Sequence, residues 1–270
     1  MPTGASLHIG LNAVDPKHYS GWDGQLTACE FDANDMQALA KKRGFTSVTK
    51  RLTKKATRNR VLADIKSAAR KLKRHDIFFL TYSGHGGQVP NTGNDFEPDG
   101  YDETWCLYDG ELIDDELYAA LNRFASGVRI FVLSDSCHSG TVLRAAHFSA
   151  LGVTPVRPRM MPRDVALRVY MDHEKFYDKL QQRGTDPRTT MRATALLISG
   201  CQDNQTSADG DRNGLFTETL LAVWRDGKFK GDYRGFQKSI VKLMPPTQTP
   251  NYFTIGPANY AFQKQKPFTV

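Results

Sequence analysis

Only four of the 270 residues are cysteine, at Cys29, Cys106, Cys137 and Cys201, and they stand far apart. No two have the C-x-x-C spacing of a metal site, and so few in so long a chain argue against a disulfide framework. The expected setting is therefore reducing, and cytoplasmic. The N-terminus lacks the basic and apolar regions of a secretory signal. No apolar run approaches the roughly 18 residues that span a bilayer, so no membrane is expected. Internal repeats and low-complexity tracts are absent, which excludes solenoid architectures. The G-x-S-x-G turn of the serine α/β-hydrolases is absent too. Acidic residues are the scarcer charge, 29 against 36, for a formal net charge of +7. The basic excess is densest from Lys41 to Arg74, where it reads as the solvated faces of helices, so nucleic acid is not an expected partner.

The hydrophobic share is 40% and the charged share 24%, ordinary for a globular chain with its own core. Strand and helix patterns alternate. β-prone runs fall at Leu7–Val14, Ser47–Leu52, Asp76–Tyr82, Val128–Leu133, Ala193–Gly200 and Tyr252–Ile255. Helical periodicity falls at Ala28–Arg43, Thr57–Leu72, Asp114–Phe124, Leu215–Trp224 and Tyr233–Leu243. The stretch from Ser83 to Asp102 reads as a loop. The stretch from Leu143 to Arg192 reads as a linker with one helix near Asp172–Leu180. The expectation is an α/β fold: a mainly parallel six-stranded sheet, with helices on both faces.

In such sheets, reactive groups gather beyond the C-terminal ends of the strands. Two apolar strands end that way here. DIFFLTYSGHGG runs into His85, and VRIFVLSDSCHSG runs into Cys137. A thiol becomes a strong nucleophile when a neighbouring base takes its proton, so the pair suits covalent catalysis. The glycines after His85 let the backbone turn sharply. That turn leaves an N–H, at Gly86, free to face a developing oxyanion beside the N–H of Cys137. Alone, Cys137 reads as an inert buried cysteine and His85 as a loop histidine. Together, at two strand ends, they read as a dyad. His138 is a rival base, but its place next to Cys137 points its side chain elsewhere.

YSGHGG and SDSCHSG resemble the two signatures of the metacaspase and orthocaspase branch of caspase-like peptidases, in which the His precedes the Cys by roughly 50 residues. Cys29-Glu30-Phe31-Asp32 resembles that family's first-helix element, ISGCQDNQTSADG its small-subunit start, and TQTPNY its closing strand. The resemblance implies a caspase-like fold in one peptidase domain over 1–270. A large-subunit-like part would run to about 143, a linker over 144–192, and a small-subunit-like part from 193 to 270. It also implies a substrate pocket at Cys29, Asp32, Ser83 and Asp135. Two carboxylates in a partly dry pocket attract a cation and repel an acid, so cleavage after Arg or Lys is expected. The expected partners are peptides carrying such a residue, met by a monomer. The alternative is a catalytically silent interaction module. With no recruitment segment before Leu7, the chain reads as a bare catalytic unit.

The chemistry itself requires no cofactor. Asp102, Asp114 and Asp115 match three ligand positions of a calcium site in some metacaspases, so Ca²⁺ as an activator is one expectation. The fourth position falls at Arg144, and an ion pair from Arg144 to the acidic cluster is the other. An enzyme that cuts after Arg could also cut its own linker. Arg157 is disfavoured because Pro158 follows it, which leaves Arg163, Arg168, Arg183, Arg188 and Arg192.

Overall fold

The computed structural model describes residues 1–93, 99–137, 157–182, 191–201 and 207–270. Six strands form one sheet in the order β2-β1-β3-β7-β8-β9. They are β1 (Gly4–Gly10), β2 (Ser47–Leu52), β3 (Ile77–Ser83), β7 (Arg129–Asp135), β8 (Thr194–Ser199) and β9 (Asn251–Ile255). All neighbours pair in parallel except β8 with β9. The expected architecture is therefore present. The first strand runs Gly4–Gly10 rather than Leu7–Val14, because its pairing with β3 starts at Gly4.

Helices cover both faces, as the apolar stripes demand. Helix α2 (Arg58–Lys71) lays Val61, Ile65 and Ala68 on one face beside α3 (Asp114–Leu121). Helix α1 (Cys29–Lys42) lays Met36, Leu39 and Ala40 on the other, beside α5 (Leu215–Trp224) and α6 (Tyr233–Val241). The central strands β3 and β7 are buried along nearly their whole length. Phe79 and Phe131 stack across them at 5.4 Å between ring centroids. Each fully buried side chain of this size contributes roughly 1.5–3 kcal/mol, so these two strands are a rigid mount for whatever follows them.

The expected Ser83–Asp102 loop is in part a second sheet. Its strands β4 (Gly86–Pro90), β5 (Tyr101–Leu107) and β6 (Gly110–Ile113) are antiparallel. Glycine and proline in β4 hid it, because they depress strand propensity without forbidding a paired strand. The linker helix is likewise longer than expected: α4 covers Arg163–Gln181 and packs Val165 and Val169 against the small sheet. A short α7 (Tyr260–Lys264) lies near the C-terminus. Among the described residues no helix is long and apolar enough to cross a membrane. The basic stretch from Lys41 to Arg74 is largely solvated. Arg58 is the exception, buried against Glu116 at 2.7 Å.

Glu111 on β6 is fully buried, and burial pushes its carboxyl up to about 7 although Thr104 donates to it. A raised carboxyl pKa favours the fold below its ordinary value of 4.5, and that advantage is lost as pH rises through 7. Glu111→Gln removes the ionisation that burial penalises. Urea unfolding is expected to show the variant gaining up to about 3 kcal/mol on wild type at pH 8 and almost nothing at pH 4.

Candidate active site

Strands β3 and β7 end level, with Ser83 paired to Asp135. His85 and Cys137 therefore each lie two residues past the same rung. The His85 arm is tied down by its carbonyl, which accepts from the Cys106 N–H at 3.0 Å and the Tyr82 hydroxyl at 2.6 Å. Its Nε2 lies 3.0 Å from the Gly24 carbonyl, which can only accept, so the ring proton sits on Nε2. Nδ1 makes no hydrogen bond and keeps its lone pair. Trp22 packs against the ring at 4.7 Å between centroids. Burial lowers the imidazole to about 4, so it is neutral near pH 7 and able to take a proton. The backbones of Gly24 and Met160, both beside the ring, work the other way.

Cys137 is fully buried. Its Sγ lies 2.6 Å from Cys201 Sγ and accepts the Ser207 N–H. Burial and the Cys201 thiol push its pKa well above the usual thiol range. The sulfur is held here as a neutral thiol.

One short segment joins these groups. Residues 157–161 run through the site, with isolated β-bridges at Pro158 and Met160. The Arg159 carbonyl accepts from the N–H of Gly86 and from the N–H of Cys137, each at 3.1 Å. These are the two donors expected to face an oxyanion. The Arg159 N–H donates to the Ser207 carbonyl at 3.0 Å, and the Arg157 carbonyl accepts from the Asp209 N–H at 3.0 Å. Pro158 pairs antiparallel with Ala208, and Met160 bridges in parallel to Gly86. The segment is thus held by backbone hydrogen bonds on both sides, in the manner of an added strand.

The Arg159 side chain fills the expected pocket and is wholly buried. Its Nη1 meets Asp135 Oδ2 at 2.8 Å and the Ser83 hydroxyl at 2.8 Å. Its Nη2 meets Asp32 Oδ2 at 2.8 Å and Asp209 Oδ1 at 3.0 Å. Each carboxylate is itself fastened. Asp32 accepts from Ser83, Asn213 and the Gly214 N–H; Asp135 accepts from Ser207 and Thr217; Asp209 accepts from the Thr27 and Ala28 N–H groups. Three carboxylates around one guanidinium leave an excess of negative charge in a dry cavity. Burial accordingly raises Asp32 to about 6, against the opposing pull of Arg159.

Two glycines make room. At Gly10 an added Cβ would come within 2.2 Å of the Cys29 carbonyl, so only glycine lets β1 approach the start of α1 and set Asp32 in place. At Gly214 it would lie 2.5 Å from the guanidinium, so bare backbone forms that pocket wall. Cys29 is buried beside Ser83, and burial pushes its thiol far up, so it lines the pocket as an inert group.

Arg159, Asp209 and Gly214 are functional residues that the sequence pattern does not single out. A signal for Arg159 exists: it is the linker arginine set between Pro158 and two methionines, extended and apolar, with no proline after it. Of the linker arginines that were singled out, Arg163 and Arg168 are exposed on α4, and Arg192 is exposed before β8. Arg183, Arg188, Arg144 and His138 lie outside the described residues. Asp102 is buried on β5, while Asp114 and Asp115 open α3, where Asp114 accepts the Asp115 N–H at 2.9 Å. Among the described residues no three His, Cys, Asp or Glu side chains gather to hold a metal ion.

Residues 13–267 match the family model described as Caspase domain. Metacaspase-1 of Scheffersomyces stipitis is 28% identical over 251 residues, which cover 80% of this chain and 60% of that protein. Metacaspase-1 of Candida albicans is 30% identical over 259 residues, covering 80% and 55%. The chain thus spans less than two thirds of the length of these relatives. Among solved structures, protein GSU0716 of Geobacter sulfurreducens is 58% identical, with a TM-score of 0.91 over 100% of this chain and 99% of that one. Caspase-1 of Spodoptera frugiperda shares the fold at a TM-score of 0.54 and 11% identity, covering 94% of this chain and 86% of that one.

Proposed function

Because the chain belongs to the caspase-domain family, we propose that it is a cysteine endopeptidase that cuts after Arg or Lys and takes its own Arg159–Met160 bond as its first substrate. One observation carries this reading. The Arg159 carbonyl rests on the N–H groups of Gly86 and Cys137 while its guanidinium sits among Asp32, Asp135 and Asp209. A peptide bond so held is already oriented, and orientation is a large share of catalysis.

The residues then divide the work. His85 Nδ1 takes the Cys137 proton, and the thiolate adds to the carbonyl carbon of the arginine. The negative oxygen formed is held by the Gly86 and Cys137 N–H groups, whose positions need no rearrangement. Collapse breaks the C–N bond, and His85 returns its proton to the departing amine, that of Met160 in the self-cut. Water, deprotonated by His85, then releases the acyl group from sulfur. In the uncut chain the sulfur faces Cys201 and the Ser207 N–H. Attack requires it to leave them, which accounts for a dormant form that holds its own substrate.

The test is a panel of fluorogenic peptides with Arg, Lys, Leu or Asp before the reporter, run beside intact-mass analysis of the chain. Arg and Lys peptides are expected to be cut at least about 10³-fold faster than the Asp peptide, since a fourth negative charge beside Asp32, Asp135 and Asp209 is strongly disfavoured. The mass is expected to resolve into fragments 1–159 and 160–270. Equal rates on all four peptides would remove the pocket assignment, and an uncut chain that nonetheless hydrolyses Arg peptides would remove the self-cut. Calcium is tested in the same assay with chelator.

A further inference from the structure

Cys201 has no part in the chemistry just described, yet its thiol lies against the sulfur that does. It follows the end of β8, next to β7, in a register where Ser134 pairs with Ser199. The Gly200 N–H donates to the Ser134 carbonyl at 2.7 Å, and the Cys201 thiol donates to the Ser136 carbonyl at 3.3 Å. Its Sγ lies 2.6 Å from Cys137 Sγ. Neighbouring strands run about 4.8 Å apart, inside the span that a disulfide bridges without backbone movement. The two thiols and Met160 form their own small buried cluster, so withdrawal of the 157–161 segment uncovers the pair. Cys201 also lines a cleft with Trp105, Ser134, Ser199 and Phe253, which gives a small molecule a second approach. The other two cysteines serve elsewhere, Cys29 under the arginine pocket and Cys106 on β5.

We infer that Cys201 is the resolving thiol for Cys137, so that a peroxide switches the enzyme off by a reversible Cys137–Cys201 disulfide. The inference rests on the reading of Cys137 as the nucleophile. The Cys137 thiolate attacks one oxygen of hydrogen peroxide and the O–O bond breaks. Hydroxide leaves and takes the proton held by His85, giving water and a sulfenic acid on Cys137. The Cys201 sulfur then attacks that sulfur. The S–O bond breaks, and the oxygen departs as water with the Cys201 proton. Two thiols are oxidised, and one peroxide is reduced to two waters. Without Cys201, the sulfenic acid meets further peroxide and goes on to the irreversible sulfinic acid.

The experiment treats the purified, self-cut wild type and Cys201→Ser with hydrogen peroxide, blocks free thiols, and examines a proteolytic digest by mass spectrometry. Activity is measured before and after dithiothreitol, each protein normalised to its own untreated rate. Wild type is expected to yield a linked Cys137–Cys201 peptide lighter by two hydrogens, and to recover most of its activity. Cys201→Ser is expected to yield sulfinic acid at Cys137 and to recover at least about five-fold less. An active wild type that never links, or a variant that recovers as fully as wild type, overturns the switch. The linked peptide is read by mass and needs no turnover. Its appearance in a chain that hydrolyses no peptide would support the disulfide while sinking the peptidase reading.

Discussion

Cys137→Ala is expected to abolish hydrolysis of Arg peptides by about 10⁴- to 10⁶-fold and to leave the 1–270 chain uncut, because removing the nucleophile of a catalytic unit costs nearly all of its rate. No described neighbour can stand in. Ser136 is bound to Ser134, and Ser134 accepts from the Trp105 indole. Cys29 is sealed beneath the pocket. Cys201 is close, but the donors that hold the Arg159 carbonyl are the N–H groups of Gly86 and Cys137. Alanine keeps that N–H, so the segment stays bound and thermal stability should hardly change. His85→Ala should lose less, about 10²- to 10⁴-fold, since a general base contributes on that scale. Rates of wild type and both variants on one Arg peptide, with intact masses, decide the matter. A Cys137→Ala protein retaining a tenth of the activity would end the mechanism.

The second large effect concerns the pocket. Asp135→Ala is expected to lower kcat/KM for an Arg peptide by about 10²- to 10³-fold, because breaking a buried ion pair costs roughly 3–5 kcal/mol. Asp135 meets the guanidinium directly at 2.8 Å and is itself held by Thr217 and Ser207. A Leu peptide, which never used the carboxylate, should be cut at nearly the wild-type rate. If both peptides fell together, the loss would be structural and the specificity argument would fail. Acid should imitate the substitution in part. Asp32 is raised to about 6 by burial, so it is charged above that pH and neutral below it. KM for Arg peptides is therefore expected to rise as pH falls through about 6, and Asp32→Asn should flatten that limb of the profile.

Much of this was readable in the chain itself, for local reasons. The inner strands β1, β3, β7 and β8 of the main sheet are buried on both faces and read as largely apolar runs, while the part-exposed edge strands β2 and β9 show only β-prone residues. The two helices that cover its faces between β1 and β3 carry their stripes at helical spacing. His85 and Cys137 stand at the ends of two such strands, and the sheet sets those strands side by side. Asp32, Ser83 and Asp135, which the resemblance to metacaspases groups together, surround one guanidinium. The small sheet was harder to see, since Gly86, Gly87 and Pro90 disguise β4 and only its pairing with β5 reveals it.

Local pattern determined which residues can do chemistry: a thiol and an imidazole at strand ends, and carboxylates near them. Only the folded chain decided who their partners are. Arg159 meets Asp32 across 127 positions, and Asp209 meets Thr27 across 182. Periodicity describes which way a side chain faces on its own element and carries no record of what another element brings to it. The arginine that fills the pocket, the third carboxylate that holds it and the thiol beside Cys137 were settled by long-range packing, which draws buried groups from distant elements together.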